Sequence, residues 1–158
     1  MADAAKIKSM LQPGDLFLTR NAGGEEANPT PGNWNHCAVY AGGTQVVEAQ
    51  ADPGKVILSD LDEFLGRYPE IQVMRLTGQK PGSGVAVASA SLKLVGWPYS
   101  AFVSRFRLSR ADRRGANCVT VARHAVLEAI GKDPRWKLPD DVAKDSRLSV
   151  VCSLEKNA

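Results

Sequence analysis

The chain has 158 residues, 44% of them hydrophobic and 23% charged, with a formal net charge of +3. That length suits a single domain over residues 1–158 with a core of its own, and the composition is ordinary for a soluble globular protein. The slight basic excess does not call for nucleic acid, no apolar run reaches the length of a membrane span, and "MADAAKIKSMLQPGD" lacks the regions of a secretory signal. Three cysteines, Cys37, Cys118 and Cys152, form no paired framework and fit a reducing compartment. The expected location is cytoplasmic, or reached without a conventional signal peptide.

Residues 3–11 read as a short helix stopped by "QPGD", and "DLFLTR" (15–20) alternates as a strand. Residues 21–33 are a long polar loop rich in Gly and Pro, a length that often carries function. Two β-rich runs around Gly42-Gly43 form a hairpin over 36–50. A strand at 55–60, a short helix starting near Asp60 and a strand at 70–77 follow. The small apolar residues at 82–96 read as a buried helix, "WPYS" as a turn and 101–110 as partly helical. A helix opens at "NCVTVA", and "LSVVCSLEK" is the last strand, with Cys152 as a core residue. Clustered strands with flanking helices predict an α+β fold, an antiparallel β-sheet packed against helices.

Asn117 is a good N-cap, which sets Cys118 at the first helical position of a helix ending near Gly131. Cys118, Ala122, Ala125, Val126 and Ala129 form its apolar stripe, so the cysteine points inward. As a small hydrophobe it would simply fill core space. At a helix N-terminus, the partial positive charge and free N–H groups favour a thiolate and can hold an oxyanion.

A thiolate nucleophile needs a base, and only two histidines exist. His124 lies about 240° around the helix from Cys118 and faces elsewhere, as a surface or boundary residue. That leaves His36, which shares a strand face with Ala38 and Tyr40, while Cys37 points to the opposite face, toward core. Glu48 lies on the paired strand. A two-residue Gly42-Gly43 loop would set His36 and Glu48 on opposite faces. A three-residue loop at 42–44 would set residue 38 opposite 48 and His36 opposite Gln50, so the carboxylate becomes a diagonal neighbour of the imidazole. Catalysis needs that loop or a bulge. Glu48 would then orient His36, with Gln50 in reserve.

The ordered set "PGDLFLTR", "NHCAVYAGG…VVEA" and "ANCVTVA" resembles the circularly permuted NlpC-type papain-like cysteine hydrolases, in particular their YiiX-like branch. The resemblance spans about residues 11 to 152. It implies a permuted papain-like fold with Cys118 as nucleophile, His36 as general base and Glu48 as orienting residue. The related lecithin retinol acyltransferase group typically has a second His where this chain has Glu48. In one departure, Val119 and Thr120 stand where the family often has a Ser–Glu pair.

The expected activity is a thiol-dependent hydrolase of the cysteine peptidase or amidase type, cleaving an amide in a cell-wall-type peptide through an acyl-enzyme. The alternatives are a thiol acyltransferase, a lipid amide or ester hydrolase, and a binding module without catalysis. Asn117 and Tyr40 are candidate oxyanion donors beside the Cys118 N–H, and Gln50 and Trp34 are candidate substrate contacts. No cofactor is expected, and no metal, because neither Cys-x-x-Cys nor His-x-x-x-His spacing is present. The run Arg105, Arg107, Arg110, Arg113 and Arg114 would favour carboxylate-rich peptides or anionic lipids, with the 21–33 loop as one cleft wall.

Overall fold

The computed structural model describes residues 3–20, 34–50, 54–98 and 113–156, with side chains from 118 onward in the last segment. In chain order these form helix α1 (Ala4–Met10), strands β1 (Leu16–Arg20), β2 (His36–Gly42), β3 (Gln45–Gln50) and β4 (Lys55–Asp60), and helix α2 (Leu61–Arg67). Strand β5 (Glu70–Leu76), helices α3 (Ser83–Leu92), α4 (Arg113–Ile130) and α5 (Pro139–Lys144), and strand β6 (Leu148–Glu155) complete them. The strands make one six-stranded sheet, ordered β4-β3-β2-β1-β5-β6, with every neighbouring pair antiparallel. The fold is therefore α+β. The expected 21–33 loop, the partial helix at 101–110 and Arg105, Arg107 and Arg110 lie outside the described residues, as do the side chains of Arg113, Arg114 and Asn117.

Side-chain alternation divides the core into two layers. Leu16, Leu18, Cys37, Val39 and Val47 face the layer of α3 and α4, where they meet Val87, Ala90, Ala122 and Ala125. Phe17, Ala38, Tyr40, Val46 and Val73 face the other way, onto Ile7 of α1 and Phe64 and Leu65 of α2. Each fully buried Leu or Phe contributes about 2 kcal/mol by leaving water. Small residues along α3 and α4 let these two helices pack closely.

Local chemistry sets the element ends. Asp3 caps α1 by accepting from the Lys6 N–H at 2.8 Å. Asp60 caps α2 by accepting from the Asp62 and Glu63 N–H groups at 3.0 and 3.2 Å. Gly131, at φ 73°, ends α4 by donating its N–H to the Leu127 carbonyl at 2.8 Å.

Three expectations need correction, and one helix is new. Helix α4 begins at Arg113, so Asn117 lies inside it and is not its cap. Arg and Ala are strong helix formers, and the capping preference of one Asn does not outweigh them. Helix α3 stops at Leu92, and residues 93–96 form turns that close on Gly96 at φ 91°. Helix α5 was not anticipated, although Pro139 at its first position and Asp140 and Asp141 in its first turn are start signals. Cys152 is half-buried, packed at the margin of the α1–α2 layer rather than inside it.

The turn before β1 touches the start of α3 through two glycines. A Cβ on Gly14, which sits at φ 92°, would fall 2.1 Å from the Gly84 carbonyl oxygen, and one on Gly84 would fall 2.6 Å from the Pro13 oxygen. Gly14→Ala is expected to cost about 2 kcal/mol or more in urea denaturation. Gly66→Ala, on α2 with open space around the added methyl, is expected to add about 0.5 kcal/mol. Equal effects at the two positions would show that the close approach is absent.

Candidate active site

The site begins with the parity of one hairpin. Tyr40 pairs with Val46 and Gly42 with Gln45, so Ala41 is an extra residue on β2, a bulge. Gly42 and Gly43 absorb the turn at φ 99° and 56°. The loop is thus Gly43-Thr44 plus a bulge, rather than a three-residue loop. It yields the same register at Val39 opposite Val47 and Tyr40 opposite Val46. Strand alternation from there sets His36 and Glu48 on one face, and His36 Nε2 lies 2.9 Å from Glu48 Oε1.

Glu48 is fully buried. A carboxylate there is costly unless its oxygens are filled. Ser59 of β4 donates its hydroxyl to Oε2 at 2.5 Å, and Gln50 donates its side-chain amide to Oε1. Arg67 Nη1, at the end of α2, lies 3.1 Å from both oxygens. Burial alone would raise the Glu48 pKa, but His36, Ser59 and Arg67 outweigh it and hold the group down at about 2. Glu48 is thus an anion, and the His36 Nε2 facing it carries the hydrogen.

The His36 ring stacks on Tyr68, with centroids 5.8 Å apart and planes at 25°. The phenol oxygen of Tyr68 also lies 3.4 Å from Arg67 Nη1. Burial alone would lower the His36 pKa, but its interactions with Tyr68, Cys118 and Glu48 outweigh that and raise it well above 6.5.

Cys118 comes from the other layer. It is 2% exposed and belongs to the core cluster that holds Trp34 and Cys37. The imidazole is nonetheless close enough for a hydrogen-bonding and charge interaction with the thiol. His36 is the first residue of β2, where it pairs with Thr19 of β1. With Nε2 held by Glu48, Nδ1 is the nitrogen left for sulfur.

The remaining expected residues are placed differently. Cys118 is the sixth residue of α4, so in a regular helix its N–H bonds the carbonyl of Arg114 and is not one of the free first-turn donors. The expected oxyanion role of that N–H therefore loses its basis, while the oxyanion role expected of the Asn117 side chain lies outside the described residues. Tyr40 commits its hydroxyl to the Gly43 carbonyl at 2.7 Å, four residues up the strand from His36. Gln50 serves Glu48 rather than the imidazole. Trp34 is buried in the Cys118 cluster, with Arg20 5.4 Å over its ring and its backbone N–H donated to Asp140.

Cys37 is buried on the face away from His36, and burial pushes its thiol pKa up. His124 pairs with Glu128 one turn along α4, Nε2 to Oε2 at 3.7 Å. Sequence reasoning missed Ser59, Arg67 and Tyr68. Arg67 reads locally only as a cation in a last helical turn, and nothing near it in the chain points to Glu48. No family model matches this chain, and no match was found among curated proteins or solved structures. No described helix is long and apolar enough to cross a membrane.

The pKa of Glu48 is depressed on folding, so its contribution to stability is present above its unfolded value near 4.5 and is lost as pH falls toward about 2. His36 is raised, so its contribution is complete below about 6.5 and is lost as pH rises through the folded value. Glu48→Gln is therefore expected to lose more stability at pH 6 than at pH 2.5 in guanidinium denaturation. A loss independent of pH would mean that Glu48 is not held as an anion.

Proposed function

We propose that this chain is a thiol-dependent hydrolase of the cysteine peptidase or amidase type. The observation that carries the reading is the convergence of Cys118, His36 and Glu48 from α4, β2 and β3. The chain order His36, Glu48, Cys118 and the motifs around them add the resemblance to permuted NlpC-type, papain-like hydrolases.

In this reading His36 accepts the Cys118 proton on Nδ1, and the thiolate attacks an amide carbonyl. The tetrahedral adduct collapses to a thioester as the His36 imidazolium protonates the departing amine. Water, deprotonated by His36, then attacks the thioester, and the returning proton restores the thiol. Glu48 remains ionised throughout, fixing the tautomer and stabilising the imidazolium. A cell-wall-type peptide amide is the first substrate class, and a lipid amide or ester the second.

The small exposure of Cys118 favours one rival, a core thiol on a fold that only binds. A substrate carbonyl reaches a thiol this covered only when neighbouring side chains move. Alkylation by iodoacetamide near neutral pH separates the readings. The hydrolase reading expects rapid modification of Cys118, slowed at least about tenfold in His36→Ala. A silent Cys118, or a rate indifferent to His36, contradicts it.

A further inference from the structure

Glu48 is shared by two cations that approach from different elements. His36 engages Oε1 alone, at 2.9 Å, whereas Arg67 Nη1 bridges both oxygens at 3.1 Å. Arg67 is also 39% exposed at the end of α2, so its own charge remains partly hydrated. The two cations therefore differ in permanence. A guanidinium keeps its proton at every working pH, while an imidazole that acts as base and acid spends part of each cycle neutral.

We infer that Arg67 is a positioning residue that keeps Glu48 anionic while His36 is uncharged, so that the imidazole tautomer survives the whole cycle. This rests on the hydrolase reading and deepens it. Without Arg67, a neutral His36 would leave a fully buried carboxylate with, among the described residues, only neutral donors: Ser59, Gln50 and the imidazole itself. Such a site resists that state: either His36 keeps its proton or Glu48 takes one up. A protonated Glu48 no longer fixes hydrogen on Nε2, and Nδ1 is then no longer reserved as the base toward sulfur. Among the described residues, the titratable groups facing the pair are Arg67 and Tyr68 from α2 and its end, and Cys118 from α4. The His36–Glu48 pair titrates as a unit, and among these neighbours Arg67 is the permanent cation.

The sign follows. Removing Arg67 destabilises the singly negative form of the pair, so the proton is held to higher pH. The test is imidazole nitrogen NMR on the full chain, where only His36 and His124 contribute and His124 serves as an internal check of folding. Arg67→Gln is expected to raise the apparent pKa of the His36 signals, and Arg67→Lys to return it toward the parent value, with His124 unchanged in both. Cys118 alkylation at neutral pH is expected to slow by about tenfold in Arg67→Gln, the effect of about one pKa unit in the base that accepts its proton. A parent-like His36 titration in Arg67→Gln, or a shift that Arg67→Lys does not reverse, overturns the inference. These signals report the charge on the pair whether or not substrate turns over. Failure of the hydrolase reading appears separately, in the response of alkylation to His36→Ala.

Discussion

A carboxylate with no solvent exposure is the constraint on which the rest of the site depends. Glu48 is sealed between β3, β4 and α2, and an anion there persists only because every direction supplies a donor or a cation. This requirement fixes several elements at once. Strand β4 must present Ser59, α2 must end with Arg67 toward the sheet, and β2 must begin with His36. The low pKa of Glu48 and the raised pKa of His36 are two views of the same arrangement, a carboxylate and an imidazole kept out of water and completed by neighbours.

Topology also governs how that pair meets the thiol on α4. Side-chain alternation sends His36 toward α2 and Cys37 toward α4, which would normally isolate the imidazole from a thiol on α4. The histidine is the first residue of β2, and its ring nonetheless interacts with the thiol. The bulge at Ala41 is necessary. An unbulged two-residue loop would turn Glu48 to the other layer and leave His36 without its carboxylate. A single inserted residue therefore decides whether the three groups can act together.

Much of this was legible in the sequence, and the limits are physical. Period-two alternation and loop parity reduce the hairpin to two registers, one of which joins His36 to Glu48. The choice between them rests on a bulge that no local residue announces. Asp60 and Gly131 mark helix ends because capping chemistry is local. Helix α4 continues through Asn117 because the propensities of Arg and Ala outweigh the cap signal. Arg67, Ser59 and Tyr68 were invisible as site residues because each reaches the pair across 11 or more positions of chain, and no periodicity encodes such contacts. Helix α5, by contrast, carried readable signals in Pro139, Asp140 and Asp141.

The central claim is that the thiol on α4 and the imidazole on β2 form one chemical unit. Its most direct test is the titration of the His36 ring in the parent chain and in Cys118→Ala, with His124 as the internal reference. The account predicts that loss of the thiol lowers the His36 pKa and leaves His124 unmoved, because Cys118 is among the groups that raise it. A His36 titration that ignores the removal of Cys118 would contradict the account and return the cysteine to the role of core filler.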